Sequence, residues 1–177
     1  MASPSSSPVK APAPLASPTK SDKSAAKEKK EVPRDPAGII DMEILGQVFE
    51  MDELDDEDED GEGGGHEFSK GIVWNYFDQA NQTFEEMKEA LNSKDLPKLS
   101  SLGHFLKGSS AALGVSKVKD SCEKMQHYGN KRDEEAGTNL SEEEALQRIQ
   151  DLLREVEEDY EEAAEWLKRY YREKEEE

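Results

Sequence analysis

The spacing of apolar residues along the chain predicts helices throughout. Residues 39–51, IIDMEILGQVFEM, set Ile44, Leu45, Val48 and Phe49 in an i, i+1, i+4, i+5 stripe behind a candidate N-cap, Asp41. Between 68 and 91 the helical period returns, with Phe68, Ile72, Tyr76, Phe77, Ala80, Phe84, Met87 and Leu91 on one face. The turn NSKD follows, and Asp95 is placed to cap the next helix with Pro97 in its first turn. That helix runs to Gly114, which suits the C′ position in left-handed conformation. Ser116 is the expected cap of another helix, apolar at Val118, Cys122 and Met125, and GNKRDEEAGTN then reads as a loop. Ser141 and Glu144 have the spacing of a capping box. Behind them Ala145, Ile149, Leu152, Val156, Tyr160, Ala163, Leu167 and Tyr170 alternate three- and four-residue steps, the seam of a bundle.

No stretch alternates with the period of a strand, and no internal repeat is present. The expected fold is all-α: an antiparallel up-down-up-down four-helix bundle with a short N-terminal capping helix, over residues 37–177. Two segments stand apart from that pattern. Residues 1–36 are rich in Ser, Pro, Ala and Lys and cannot bury enough surface to offset ordering entropy, so a disordered tail is expected. Its Ser3-Pro4, Ser7-Pro8 and Ser17-Pro18 pairs could serve proline-directed kinases, although an inert tail is the expected reading. Residues 52–66 combine a run of acids with Gly63, Gly64 and Gly65, and read as a flexible acidic loop inside the domain.

Charge narrows the functions open to such a bundle. Lys and Arg total 23 against 42 Asp and Glu, a net charge of −19. That argues against binding nucleic acid or an anionic membrane surface. No apolar run approaches the ~20 residues of a membrane span, and the N-terminus lacks the apolar core of a secretory signal. Cys122 is the only cysteine, so no intrachain disulfide can form and a reducing compartment, cytoplasm and nucleus, is expected. His66, His104 and His127 show no i, i+4 pairing and Cys122 has no partner cysteine, so no metal site is expected. Trp74 and Trp166 read as packing residues.

The stretch LGHFLKGSSAALG, residues 102–114, carries the candidate chemistry. Each interior glycine costs a helix roughly 1 kcal/mol relative to alanine. On a wheel of ~100° per residue, Leu102, Phe105, Leu106, Ser109, Ala112 and Leu113 fall about 80° to 200° from His104, which makes them the expected buried stripe. His104 lies opposite, exposed, with Lys107, Gly108 and Ala111 about 60° or less to either side. An exposed imidazole is partly neutral at physiological pH, and the neutral ring is a nucleophile. Lys107 is placed to meet a dianionic group, and Gly108 and Ala111 leave room for another protein. Gly103 is read in the same way. No general base, second nucleophile, oxyanion hole or GxxxxGK[ST] loop accompanies them. Such a site could accept a group from an activated donor but has no means of activating one itself; the alternative is an ordinary surface histidine, against which the two interior glycines count.

HFLKGSSAALG resembles the signature of histidine-containing phosphotransfer (HPt) proteins, in the fungal form that serves osmosensing phosphorelays. The similarity extends to IIDMEILGQVFEMD, EFSKGIVWNYFDQANQTF and CEKMQHYGNK, covering about residues 39–132. The resemblance implies a four-helix bundle that receives a phosphoryl group from the receiver domain of a hybrid sensor histidine kinase. It then passes the group to the receiver aspartate of a response regulator. It implies that His104 is the phosphoacceptor, that Lys107 neutralises phosphoryl charge, and that Gly108 permits close approach. Ser109 would hold the helix geometry, and Gln126 would orient the imidazole. The docking patch it implies is Ile44, Val48, Met51, Phe68, Ile72 and Val73, with Ala111 beside the histidine; the alternative is that the patch residues pack the capping helix on the bundle. The magnesium ion comes from the receiver, so this chain binds no cofactor of its own, and a monomer is expected. Fungal members often carry arginine directly after the glycine at 129, where this chain has Asn130 followed by Lys131 and Arg132. The alternative class is an acidic helical adaptor or chaperone for basic proteins, which leaves the glycines around His104 unexplained.

Overall fold

The computed structural model of the chain describes residues 38–55 and 66–175. The Ser/Pro-rich tail and residues 56–65 of the acidic stretch lie outside them. Five helices follow in order: α1 (Met42–Asp55), α2 (Glu67–Asn92), α3 (Leu96–Ala112), α4 (Ser116–Gly129) and α5 (Glu142–Glu175). Helices α2 to α5 form the bundle, and α1 closes one end of it. Two-residue strands β1 (Arg132–Asp133) and β2 (Thr138–Asn139) pair antiparallel between α4 and α5, where the sequence indicated only a loop.

Most helix ends are set by the residues that the sequence singled out. The Asp41 carboxylate accepts from the Glu43 and Ile44 N–H groups at 3.0 and 3.4 Å, and Asp95 accepts from Lys98 N–H at 3.0 Å. Ser141 and Glu144 make the reciprocal box, with bonds of 2.8 and 3.2 Å. These side chains satisfy donors that a helix start leaves without intrahelical partners. Ser116 departs from expectation. It is the first residue of α4 rather than its cap, because Val115 is held in a bridge to Ile40. The Ser116 N–H donates to Ile39 O at 2.9 Å, and its hydroxyl turns back to Gly114 O at 3.3 Å.

Gly114 adopts φ +70 at the end of α3, and a Cβ there would lie 2.5 Å from Asp41 O. The close approach is the bond from Asp41 N–H to Gly114 O, 2.6 Å long, which attaches the start of α1 to the α3–α4 turn. At its other end α1 stacks Phe49 on Tyr170, ring centroids 4.6 Å apart, near the end of α5. Helix α1 also runs to Asp55, so residues 52–55 are helical and not part of a loop. Asp52 is buried, and its carboxylate accepts from Ser69 N–H at 2.7 Å.

All eight residues of the α5 seam are buried, as are Val118, Cys122 and Met125 on α4. On α2 the buried face begins at Ser69 and Val73, leaving Phe68 43% exposed. Helix α3 differs most from the wheel. Its buried face is Leu96, Leu99, Ser100, Gly103, Leu106 and Ser110, whereas Phe105 is 51% exposed, Ala112 is exposed and Ser109 is half-buried. The helix is turned roughly a quarter-circle or slightly more from the apolar stripe, given ~100° per residue. Close packing between helices selects small residues at the contact. Thus Ser110 sits inward, bonded to the Tyr76 hydroxyl at 3.0 Å, while Phe105 is left outside.

Candidate functional site

The approach of α3 to α4 builds the site. A Cβ on Gly103 would lie 3.0 Å from Cys122 O and 3.1 Å from Gln126 N, both backbone atoms of α4. A Cβ on Gly129 would lie 2.7 Å from Ser100 N. The Ser100 hydroxyl donates to Gln126 O at 3.0 Å and pins the two helices at the level of the site. Gly103 therefore admits α4 and is not clearance for a partner, which corrects the reading from spacing alone. Gly108 keeps that reading: it is exposed, and a Cβ there would meet nothing within 4 Å.

His104 is exposed, and its Nδ1 lies 3.4 Å from Gln126 Oε1. An amide oxygen accepts, so the arrangement places the ring proton on Nδ1 and the lone pair on Nε2. Lys107 lies on the α4 side of His104, with Nζ 3.3 Å from Glu123 Oε1, an anion that the sequence reading did not single out. The cation is thus held beside the imidazole by a carboxylate partly open to solvent.

Ser109 does not point inward. Its hydroxyl donates to Phe105 O at 3.1 Å, one turn back, and so still braces the helix beside the site. Among the expected docking residues, Val48 and Val73 are core residues, 9% and 0% exposed, and do not form an accessible face. Ile44, Ile72 and Ala111 are half-buried, while Met51 and Phe68 are 48% and 43% exposed. Phe105 joins these exposed apolar residues. Around α3 the order runs from His104 to α4, through the core to α2, and back by way of Phe105. The phenyl ring thus leaves on the side of His104 away from α4. An aromatic residue directly after the histidine was its only sequence signal.

The Hpt domain family profile matches residues 71–166, a span that holds His104, Lys107, Gly108 and Gln126. The chain belongs to the Hpt domain family. This Hpt domain is 48% identical over 134 residues to multistep phosphorelay regulator 1 of Schizosaccharomyces pombe, covering 75% of this chain and 42% of that protein. It is 44% identical over 95 residues to phosphorelay intermediate protein YPD1 of Candida albicans, covering 54% of this chain and 46% of that protein. The Hpt chain therefore spans about half the length of the curated relatives it matches. Its fold matches histidine phosphotransfer signaling protein Ypd1 of Saccharomyces cerevisiae, solved with the receiver domain of the downstream response regulator Ssk1. That likeness has a TM-score of 0.63 at 31% identity and covers 77% of this chain and 97% of that one. Among the described residues no helix is long and apolar enough to cross a membrane.

After Gly129 the position that fungal members often fill with arginine is taken by the uncharged Asn130. Asn130 is the C-cap of α4, and Lys131 turns the chain at φ 56. Arg132 is engaged in the hairpin, 2.9 Å from Glu134 Oε1 and 3.4 Å from Asn139 Oδ1.

Proposed function

We propose that this chain is a phosphorelay intermediate, carrying a phosphoryl group on His104 between receiver domains in two-component, osmotic or stress signalling. Support comes first from the imidazole itself: exposed, with Nδ1 facing Gln126 Oε1 and open space over Gly108. Membership of the Hpt family and its similarity to a phosphorelay regulator and a phosphorelay intermediate protein support this reading.

In the loading step the Nε2 lone pair attacks the phosphorus of an aspartyl phosphate on the receiver of a hybrid sensor histidine kinase. The P–N bond forms as the P–O bond breaks, the receiver carboxylate keeps the electron pair, and the proton stays on Nδ1, donated to Gln126 Oε1. Transfer to a response-regulator aspartate is the reverse. Phosphoryl transfer depends mainly on in-line positioning and charge stabilisation. The receiver contributes Mg2+ in this scheme, and Lys107 meets the equatorial oxygens. Met51, Phe68, Phe105 and the half-buried Ile44 and Ile72 offer the apolar face on which the receiver docks, with Ala111 and Gly108 beneath it. The chain works as a monomer in cytoplasm and nucleus and has no ATP-dependent kinase activity of its own.

The test combines radiolabelled phosphorylated receiver with wild-type chain and the His104→Gln variant. Label is expected on wild type alone, and acid-labile. Equal labelling of both proteins, or of neither, removes the carrier reading.

A further inference from the structure

His66 holds a backbone conformation that side chains other than glycine rarely adopt, φ 128, immediately before α2. Three glycines, Gly63 to Gly65, precede it in the sequence, yet a histidine occupies the strained position. Strain of this kind persists where the surroundings over-determine it, and it concentrates at functional positions. Here the surroundings grip the ring. His66 Nδ1 lies 3.1 Å from Asp52 Oδ2, and the imidazole packs edge-on against Phe49 and Tyr170, centroids 6.2 and 6.4 Å away.

Asp52 is 4% exposed, and its second oxygen takes the Ser69 N–H. It thereby caps the start of α2 from α1, where His66 supplies no side-chain cap. The Ser69 hydroxyl donates to His66 O at 3.3 Å and accepts from the Tyr171 hydroxyl at 2.8 Å. The end of α1, the start of α2 and the end of α5 meet in this network. Met51 directly precedes Asp52, and Phe68 directly precedes Ser69. The Asp52–Ser69 bond therefore joins α1 to α2 one residue away from each of these two exposed apolar residues.

We propose that the Asp52–His66 pair positions the docking face: it fixes Met51 against Phe68 and so sets receiver affinity without acting on the chemistry at His104. This rests on the docking reading given above. The full chain is compared with its His66→Gly, Phe68→Ala and double variants for receiver affinity, transfer rate at saturating receiver, and thermal unfolding. His66→Gly removes the imidazole and relieves the backbone, so its unfolding temperature stays near that of wild type. Affinity falls roughly two- to tenfold, the net worth of one hydrogen bond, while the saturated transfer rate is unchanged. The double variant loses no more affinity than Phe68→Ala alone, because His66 acts through that residue. Asp52→Asn keeps an oxygen for Ser69 but has no carboxylate for the ring, and it gives the same loss independently of glycine.

If Phe68→Ala weakens binding while His66→Gly and Asp52→Asn do not, the positioning role is wrong and the docking face stands. Additive losses in the double variant also overturn it. If Phe68→Ala has no effect, the docking reading fails and the inference fails with it.

Discussion

Two glycines five residues apart on α3 should respond to alanine with opposite signs. Both occupy helix interior, so each substitution gains the same intrinsic preference, about 1 kcal/mol. At Gly108 the added methyl meets nothing within 4 Å, and Gly108→Ala should stabilise the fold by about 0.5–1 kcal/mol. At Gly103 it lies 3.0 Å from Cys122 O, 3.1 Å from Gln126 N and 3.4 Å from Met125 Cβ. The first two atoms belong to the backbone of a packed helix, which yields only by moving α4 away. Overpacking of this kind costs about 1–3 kcal/mol. After the propensity gain, Gly103→Ala is left about 1 kcal/mol less stable than wild type. The propensity term cancels between the variants, so their difference, about 2 kcal/mol, isolates the α3–α4 contact. For a domain of this size that separates the two melting temperatures by about 4–8 °C, readable by circular dichroism at 222 nm. Function should divide differently. Gly103→Ala slows phosphotransfer by lengthening an already long His104–Gln126 contact, and Gly108→Ala slows it by standing between partner and imidazole in a fully folded protein. If Gly103→Ala melts at or above Gly108→Ala, the account of the interface is refuted.

Other groups give further expectations. Glu123→Gln frees Lys107 and removes the anion paired with it, which under the proposed function would lie beside an incoming phosphoryl group. The equilibrium with phosphorylated receiver should move toward phosphohistidine, while stability changes by about 0.5 kcal/mol or less, because the pair is exposed; an equilibrium unchanged in quench-flow labelling would contradict this. Burial pushes the Cys122 thiol up to about 12, so alkylation at pH 8 should follow unfolding and be negligible in the native protein. Fast labelling of folded protein would show that the α3–α4 interface opens. The Ala136 N–H, aided by the Arg148 guanidinium, holds the Asp133 carboxyl below the usual carboxylate range. The lowered value means that its stabilisation of the hairpin is present at neutral pH and is lost as pH falls through the folded value. The Ala136 amide resonance should shift in acid, and in Asp133→Asn that acid-dependent shift should be gone.

What the sequence disclosed follows from the range of the interactions involved. Asp41, Asp95 and the Ser141–Glu144 box act on their own helix within three residues, so their spacing carries the information. The α5 seam is long enough for its period to be unambiguous. Helix α3 was misjudged because a wheel oriented by its apolar side chains gives no weight to Ser100, Gly103 and Ser110. A close helix contact instead buries the smallest residues, here Ser100, Gly103 and Ser110, and leaves Phe105 outside. His104 stayed exposed under both rotations. Val48 and Val73 illustrate the complementary limit: an apolar residue at the edge of a stripe does not reveal whether a helix or a partner covers it. The Lys107–Glu123 and Asp52–Ser69 links join separate helices and left no local trace.

The bond from Asp41 to Gly114, together with the bridge from Ile40 to Val115, bears on the order of assembly during synthesis. A 14-residue helix such as α1 is marginal by itself. Its anchors emerge late: the α3–α4 turn follows two full helices, and Tyr170 follows nearly the whole chain. Helices α3 and α4, joined by a three-residue turn, can meet as soon as both have left the ribosome. Helix α1 precedes these anchors in the chain, so its apolar stripe stays uncovered until the residues that cover it have been made.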